Sequence, residues 1–379
     1  MLYITFNDYP GGIFESQVID VIQYLNKLSH QKIRLISFVS LRNFFSNRKK
    51  IKSLYPYSIV IPMFPGIHNW QWNRIFAFFL ILIFYKSSVI CRGIFAFDLF
   101  YPFKKIGLLN KIIFDGRGAY KSEFEEYLFP EDKKLIDKVY SLEFKAVMYA
   151  SFRIAVSQAL VNYWKENYGY IDNDYVVIPC TLSKKFIRNI PEKSVVLSLR
   201  QKMGFVEDDV IVVFSGSSAG WQSMVESDIL FLELLNKSSK VKLLFLGNHD
   251  VEKFMCYKKF PDRVFQKSVS VDEVFDYLVI ADYGWLVREQ SITNKVASPV
   301  KFAEYLVCGL KVIISENLGD YTDFCRKHNC GIIVSNSSIK DDLNKIDESE
   351  KNRIHQLAIQ YFTKEKYENE YRKVLNSNK

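Results

Sequence analysis

A chain of 379 residues with 49% hydrophobic content has enough apolar material for a substantial core and enough length for two domains, which excludes a disordered protein. Lys and Arg outnumber Asp and Glu by 51 to 42, and the net charge of +9 points to anionic partners such as nucleotides, nucleic acid or an anionic membrane surface. The six cysteines (Cys91, Cys180, Cys256, Cys308, Cys325, Cys330) form no C-x-x-C pair and fit a reducing cytosol.

The N-terminus, MLYITFNDYPGG, has no basic region followed by an apolar run, so it reads as a first strand (residues 2 to 6) and not as a secretion signal. Asp8 to Gly12 is a turn leading into a helix with Phe14, Val18, Ile22 and Leu25 on one face. Gly11 and Gly12 let backbone N–H groups approach a ligand, although neither G-x-G-x-x-G nor G-K-[ST] is present. Residues 33 to 39, 58 to 62 and 88 to 91 continue as short strands between helical segments, the alternation of a helix-wound parallel sheet. The ten apolar residues 75 to 84 (IFAFFLILIF) fall short of the roughly 20 needed to span a bilayer. Trp70, Trp72, Arg74, Tyr85 and Lys86 flank them, so the segment reads equally as a buried core helix or as a membrane-surface helix.

Residues 112 to 118 form an apolar strand ending in Asp115, Gly116, Arg117 and Gly118. This places Asp115 and Arg117 at the carboxyl edge of the sheet, where open α/β sheets bind ligands; the plainer reading is a local ion pair that holds the loop. Residues 152 to 156 are another strand, Ser157 caps a helix that runs through Tyr168, and residues 175 to 179 follow as a strand. A domain boundary is expected within residues 191 to 206, a stretch of mixed charge. The pattern then restarts. Residues 210 to 214 are an apolar strand, Ser215 to Trp221 a small-residue loop containing Gly216 and Ser217, and a helix follows through Leu235. Further strands are expected at 241 to 246, 263 to 265, 279 to 281, 312 to 314 and 332 to 334. Cys325, His328 and Cys330 offer three ligand types in a C-x-x-H-x-C cluster, but no fourth stands nearby, and no metal site is expected there. Of the histidines, only His68, beside Pro65 and Gly66, is a candidate for a site.

Residues 287 to 320 carry the most chemistry. Ser298 suits a helix cap, Pro299 its first turn, and Gly309 a left-handed end before the strand at 312. Lys301 and Glu304 are three apart, on one face near the helix start, where backbone N–H groups attract anions. A carboxylate here can hold ribose hydroxyls, and a lysine with the helix end can hold a diphosphate; an ordinary Lys–Glu pair is the alternative.

Together these segments resemble a family 4 glycosyltransferase of the GT-B fold, of the type that builds bacterial surface polysaccharide (capsule or lipopolysaccharide O-antigen). The resemblance rests on FDGRGAYKSE (114 to 123), VSQAL (156 to 160), VIPC (177 to 180), VVFSGSSAGWQ (212 to 222) and SPVKFAEYLVCGLKVI (298 to 313), in the family's order. It implies an α/β architecture of two Rossmann-like, doubly wound domains facing across a cleft. Residues 1 to 195 would be the acceptor-binding domain and 196 to 355 the nucleotide-sugar-binding domain, with a C-terminal helix (356 to 379) packing back on the first. It also implies transfer with retention of configuration and a ribose-binding role for Glu304. Two departures stand out: Val296 occupies the position of a second family glutamate, and Gly220 is followed by Trp221 and Gln222 instead of basic residues. Diphosphate charge is then expected to fall to Lys301, Arg288 and Lys295.

The expected activity is that of a hexosyltransferase moving sugar from a nucleotide-diphosphate sugar to a saccharide acceptor, expected to be lipid-linked. Asp115 and Arg117 are the candidate catalytic residues. Glu304, Lys301, Arg288, Gly216, Ser217, Gly11, Gly12 and Ser298 are the candidate donor-binding residues. No metal or other cofactor is expected, the nucleotide sugar being a substrate, and no nucleic-acid partner. The expected location is the cytoplasm, with peripheral contact at the anionic inner membrane. The alternatives are a nucleotide-sugar 2-epimerase of the same fold and a non-catalytic protein that binds anions or a membrane surface.

Overall fold

The computed structural model describes residues 1–29, 32–216, 223–335 and 338–377. By its internal contacts the chain divides into two compact units. The first comprises residues 1–183, 296–298 and 367–379, and the second residues 184–295 and 299–366.

The first unit is built on a seven-stranded sheet: β1 (Leu2–Phe6), β2 (Arg34–Ser40), β3 (Ile59–Met63), β4 (Val89–Arg92), β5 (Ile112–Gly116), β6 (Phe152–Ala155) and β7 (Tyr175–Val177). Their spatial order is β3-β2-β1-β4-β5-β6-β7, with every pairing parallel. The central strands read as unbroken apolar runs because helices cover both faces of the sheet. One face packs Phe97, Phe100, Leu142 and Trp164. The other packs Ile22, Leu25, Ile51 and, from the C-terminal helix Glu368–Asn376, Tyr371 and Val374.

The second unit repeats the plan with β8 (Val210–Ser215), β9 (Val241–Leu246), β10 (Val264–Lys267), β11 (Tyr283–Leu286), β12 (Lys311–Ser315) and β13 (Gly331–Val334), all parallel, in the order β10-β9-β8-β11-β12-β13. In each sheet the winding reverses once, between β1 and β4 and between β8 and β11. The carboxyl ends of those strand pairs are where a parallel sheet opens a binding crevice.

Three local expectations change. The apolar residues 279–281 do not form a strand; they close the turn after helix Val274–Leu278, and β11 begins at Tyr283. The cause is Asp282, wholly buried, whose Oδ2 accepts Arg200 Nη2 (3.0 Å) and the Ile211 amide (2.9 Å) and so anchors the entry to the strand. Residues 191 to 206 contain a regular helix, Lys193–Lys202, in the second unit; Lys185 and Arg188, just before it, pair with Asp272 (2.7 Å) and Asp276 (3.0 Å) of the same unit. Finally, helix Glu348–Phe362 stays with the second unit, where its His355 Nδ1 lies 2.6 Å from the Val307 carbonyl, and the chain rejoins the first unit only from Tyr367.

Candidate functional site

In the first unit, parallel register puts Arg92, the last residue of β4, beside Asp115 of β5. Asp115 is buried. Its Oδ2 accepts the Tyr3 hydroxyl at 2.6 Å and lies 3.6 Å from Arg92 Nη1, while its Oδ1 lies 3.3 Å from Arg117 Nη1. Asp8, in the turn after β1, completes the group at 3.5 Å from Arg92 Nε. Burial opposes the charge of Arg92, but Asp8, Tyr3 and Asp115 outweigh it and hold the guanidinium firmly protonated. Burial, with Asp115 adding to it, pushes the Tyr3 phenol well above its usual range, so Tyr3 remains a donor.

The loop after β5 is fixed from several sides. Arg117 Nη2 lies 3.1 Å from Cys180 Sγ. The Tyr120 and Lys121 amides donate to buried Glu143 at 3.1 and 2.8 Å. A Cβ on Gly116 would stand 2.6 Å from Trp164 Cζ2, so the close packing of this loop requires glycine. A small cavity of about 20 Å³, room for one water, lies among Tyr3, Gln17, Asp115, Arg117 and Tyr371. Asp115 and Arg117 thus do form an ion pair, and it belongs to a buried cluster of two acids, two arginines and a phenol. Gly11 and Gly12 lie in this same unit. Gly11 has an extended backbone (φ −124°), and a Cβ there would meet only the Tyr9 ring at an ordinary 3.5 Å contact, so nothing local demands glycine.

In the second unit the crevice between β8 and β11 gathers Gly216, Arg288 and the start of helix Val300–Val307. Tyr305 of that helix ties them together: its hydroxyl accepts the Ser215 amide (3.0 Å) at the end of β8 and donates to the Trp285 carbonyl (3.3 Å) in β11. The ring lies directly over Gly284, where any Cβ would sit 2.3 Å from it. Arg288, following β11, exchanges hydrogen bonds with Ser315 of β12: its amide donates to Oγ and Oγ donates to its carbonyl, both at 2.6 Å. Its Nη1 reaches Asn294 Oδ1 at 3.3 Å. The Glu289 amide donates to Ser223 Oγ (2.7 Å), joining this loop to the start of helix Met224–Lys237.

Lys301 and Glu304 are in contact, with Lys301 Nζ 2.7 Å from Glu304 Oε2. The pair is not the exposed kind, since the Glu304 side chain is only 11% exposed. Oε2 holds the lysine, and Oε1 carries no hydrogen bond among the described residues. Gly309 has φ +77°, and a Cβ there would come within 2.8 Å of Ile190, so both conformation and space require glycine at the end of this helix.

Ser298 does not take the cap. Pro299 occupies that position, and Ser298 belongs to the first unit, where its hydroxyl accepts the Cys180 amide at 2.8 Å. Val296 is likewise part of the first unit; it is buried in that core, with its carbonyl accepting the Ser157 hydroxyl (2.7 Å), and Ser157 also caps its own helix as expected. Lys295 is exposed. Ser217, Trp221 and Gln222 lie outside the described residues.

Sequence reasoning passed over Tyr3, Asp8 and Arg92, which only the sheet order unites, and His249. His249 follows β9 in the string Gly247-Asn248-His249-Asp250, the same strand-to-turn signal used elsewhere. It is buried between Phe214 and Phe245, with ring centroids 5.2 and 5.8 Å away. Burial lowers its pKa, partly offset by hydrogen bonds to the Gly216 and Leu246 backbone, so it is neutral at pH 7. A depression of about 580 Å³ opens beside it, lined by Asp250, Tyr257, Val264 and Gln266 among others. By contrast, His68 is exposed and lies 3.4 Å from Asp132. Cys325 and Cys330 are buried with sulfurs 4.0 Å apart, while the His328 ring packs on Phe324 and Tyr361.

No protein-family profile matches the chain, and no curated protein matches it. Solved structures do. A glycosyltransferase from Rickettsia africae ESF-5 superimposes with a TM-score of 0.68 at 15% identity, covering 100% of this chain and 97% of that one. The lipopolysaccharide outer core galactosyltransferase WaaB gives 0.65 at 15% identity, covering 99% and 98%. The chain has the GT-B fold. A UDP-GlcNAc 2-epimerase from Neisseria meningitidis, solved with UDP-GlcNAc, gives 0.53 at 12% identity over 98% and 93% of the two chains.

Proposed function

We propose that the protein is a glycosyltransferase that moves a sugar, with retention, from a nucleotide-diphosphate sugar to a saccharide acceptor during bacterial surface-polysaccharide synthesis. Glu304 carries this reading. It is a nearly buried carboxylate in the first turns of a helix at the sheet's reversal point, with one oxygen fixed by Lys301 and the other open to ribose hydroxyls. Lys301 and Arg288 are the cations nearest a diphosphate held there. Breaking the bond from sugar to diphosphate develops negative charge on the leaving phosphate, and cations and N–H groups already in place stabilise it. No metal step is needed in this scheme. In the first unit Asp115, held by Arg92 and Arg117, serves to orient an acceptor hydroxyl, and a lipid-linked acceptor suits the exposed apolar surface described below. The acceptor's proton passes to the departing phosphate, as retention by same-face attack allows.

Glu304→Ala should lower transfer at least about a hundredfold, the effect expected for losing one well-placed polar group, while the protein stays folded. A panel of nucleoside diphosphates tested by thermal shift, then a transfer assay with the one that binds, measures this; wild-type rates in the variant would sink the assignment. The 2-epimerase is the second reading, motivated by the epimerase likeness at the lower TM-score of 0.53. Epimerised nucleotide sugar appearing without an acceptor would favour it.

A further inference from the structure

Helix Arg74–Ile83 is apolar on every side. Its inner stripe, Ala77, Leu80 and Ile81, is buried in the first unit's core. Its first residue is pinned: Arg74 Nη2 lies 2.7 Å from buried Asp98, which also accepts Trp70 Nε1 at 3.0 Å and pairs with Lys145 at 2.7 Å. The outer stripe is Ile75, Phe78, Phe79 and Leu82, spaced i, i+3, i+4 and i+7. Together with Ile83 these side chains are between 42% and 73% exposed, and Trp72 and Tyr85 stand exposed just beyond the two helix ends. A helix on a water-facing surface ordinarily puts polar residues on its outer face, so a contiguous stripe of five large apolar side chains marks a place that something covers.

The charge around it says what. The sequence that carries the helix is basic: residues 21 to 97 hold no Asp or Glu and eleven Lys and Arg, of which Arg74 and Arg92 are already paired with Asp98 and with Asp8 and Asp115. Beyond the C-terminal end of the helix, the exposed Lys86 donates its amide to the Leu108 carbonyl (3.0 Å), which brings the turn carrying Lys104, Lys105 and the exposed Ile106 alongside. The apolar stripe therefore ends in a rim of cations with interfacial aromatics at both ends. That combination matches an anionic lipid surface, where apolar side chains enter the acyl boundary and lysines meet headgroups. A second copy would add its own cations to the same rim. Crossing is excluded for this segment, because no helix among the described residues is long and apolar enough to span a membrane.

We propose that the outer face of helix Arg74–Ile83 docks the protein on an anionic bilayer surface, with Lys86, Lys104 and Lys105 engaging lipid headgroups. The proposal deepens the reading of a lipid-linked acceptor, but its test is binding, so the two can fail separately. The full chain is sedimented with phosphatidylcholine vesicles that contain either no phosphatidylglycerol or about one-third of it. Wild type should bind the anionic vesicles at least about tenfold better and lose that preference as salt rises. The double substitution Phe79→Ser, Leu82→Ser should weaken binding at least about tenfold without changing the melting temperature or the nucleoside-diphosphate thermal shift, since both residues are exposed. Lys86→Gln with Lys105→Gln should remove the preference for anionic lipid while leaving residual binding. Failure of wild type to sediment, or undiminished binding by the Phe79, Leu82 variant, overturns the proposal. So does a concentration-dependent dimer in light scattering that the same variant abolishes, because a second copy would then be the occupant. Loss of sugar transfer with vesicle binding intact would remove the enzymatic reading and leave this one standing.

Discussion

Asp115 holds two guanidinium groups and a phenol in one buried place, so replacing it is an electrostatic change before it is a steric one. Asp115→Asn keeps the shape and can still accept from Tyr3, but it leaves Arg92 and Arg117 close together with only Asp8 to balance them. Breaking a buried pair by removing one partner strands a charge, and we expect a loss of about 2 to 3 kcal/mol, with Asp8 softening the usual cost. The urea midpoint reads this; an unchanged midpoint would mean that solvent, not Asp115, balances the arginines. On the donor side the comparison differs. Glu304 is paired through a single oxygen to Lys301, which is partly exposed and can turn to water, so Glu304→Ala strands no buried charge; it should cost less stability than Asp115→Asn, and its larger effect belongs to activity.

At the scale of elements, Gly284 and Glu143 set the two crevices. Gly284→Ala would drive a methyl into the Tyr305 ring, which is buried and bonded to both β8 and β11, so the helix carrying Glu304 must shift or the strand must bend. Overpacking of this kind costs about 1 to 3 kcal/mol, and nucleotide binding should weaken with it. Titration of the variant with the nucleoside diphosphate that stabilises wild type measures the second effect. Glu143 caps the loop that presents Arg117, and burial pushes its pKa up to about 7, against which the Lys121 amide, Tyr168 and the Tyr120 amide pull only partly. The native state then binds a proton that the unfolded chain has already released, so stability should fall as pH rises from about 4.5 to 7, by roughly 3 kcal/mol from this group. Glu143→Gln should flatten that part of the curve; an equally steep decline in the variant would assign it to other groups.

These elements also mark what could be read from the chain beforehand. Strand positions were legible because each strand of a helix-covered parallel sheet is a continuous apolar run, and the caps at Ser157 and Gly309 announce themselves by residue type. The Lys301–Glu304 spacing alone was enough to bring those two side chains together. The Arg92–Asp115 contact was not legible, since it depends on which strands become neighbours, and β4 joins β1 only because the winding reverses there. Nor was the start of β11: residues 279 to 281 look like a strand, and it is Arg200 and the Ile211 amide, some seventy to eighty residues earlier, that hold Asp282 at the entry to the strand. Gly284 gave no signal either, because its reason is a tyrosine twenty-one positions away.

At the scale of the whole molecule, the chain leaves the second unit after helix Glu348–Phe362 and returns its last helix, Glu368–Asn376, to the first. There Tyr371 packs edge-on against Tyr24 at 5.3 Å, and Val374 is fully buried in the same cluster. The first unit therefore includes helix Glu368–Asn376, while Glu304, Lys301 and Arg288, the groups proposed to grip the nucleotide, lie in the second. Two perturbations should separate the units in a calorimetric scan. Tyr371→Ala removes a buried ring and should lower the transition of the first unit by about 3 kcal/mol. A nucleoside diphosphate at a hundred times its Kd should raise the transition of the second by about 2.7 kcal/mol, because it binds only the folded form. If the nucleotide instead raises the transition that Tyr371→Ala lowers, its main grip is on the first unit, and the roles given to Glu304, Lys301 and Arg288 are wrong.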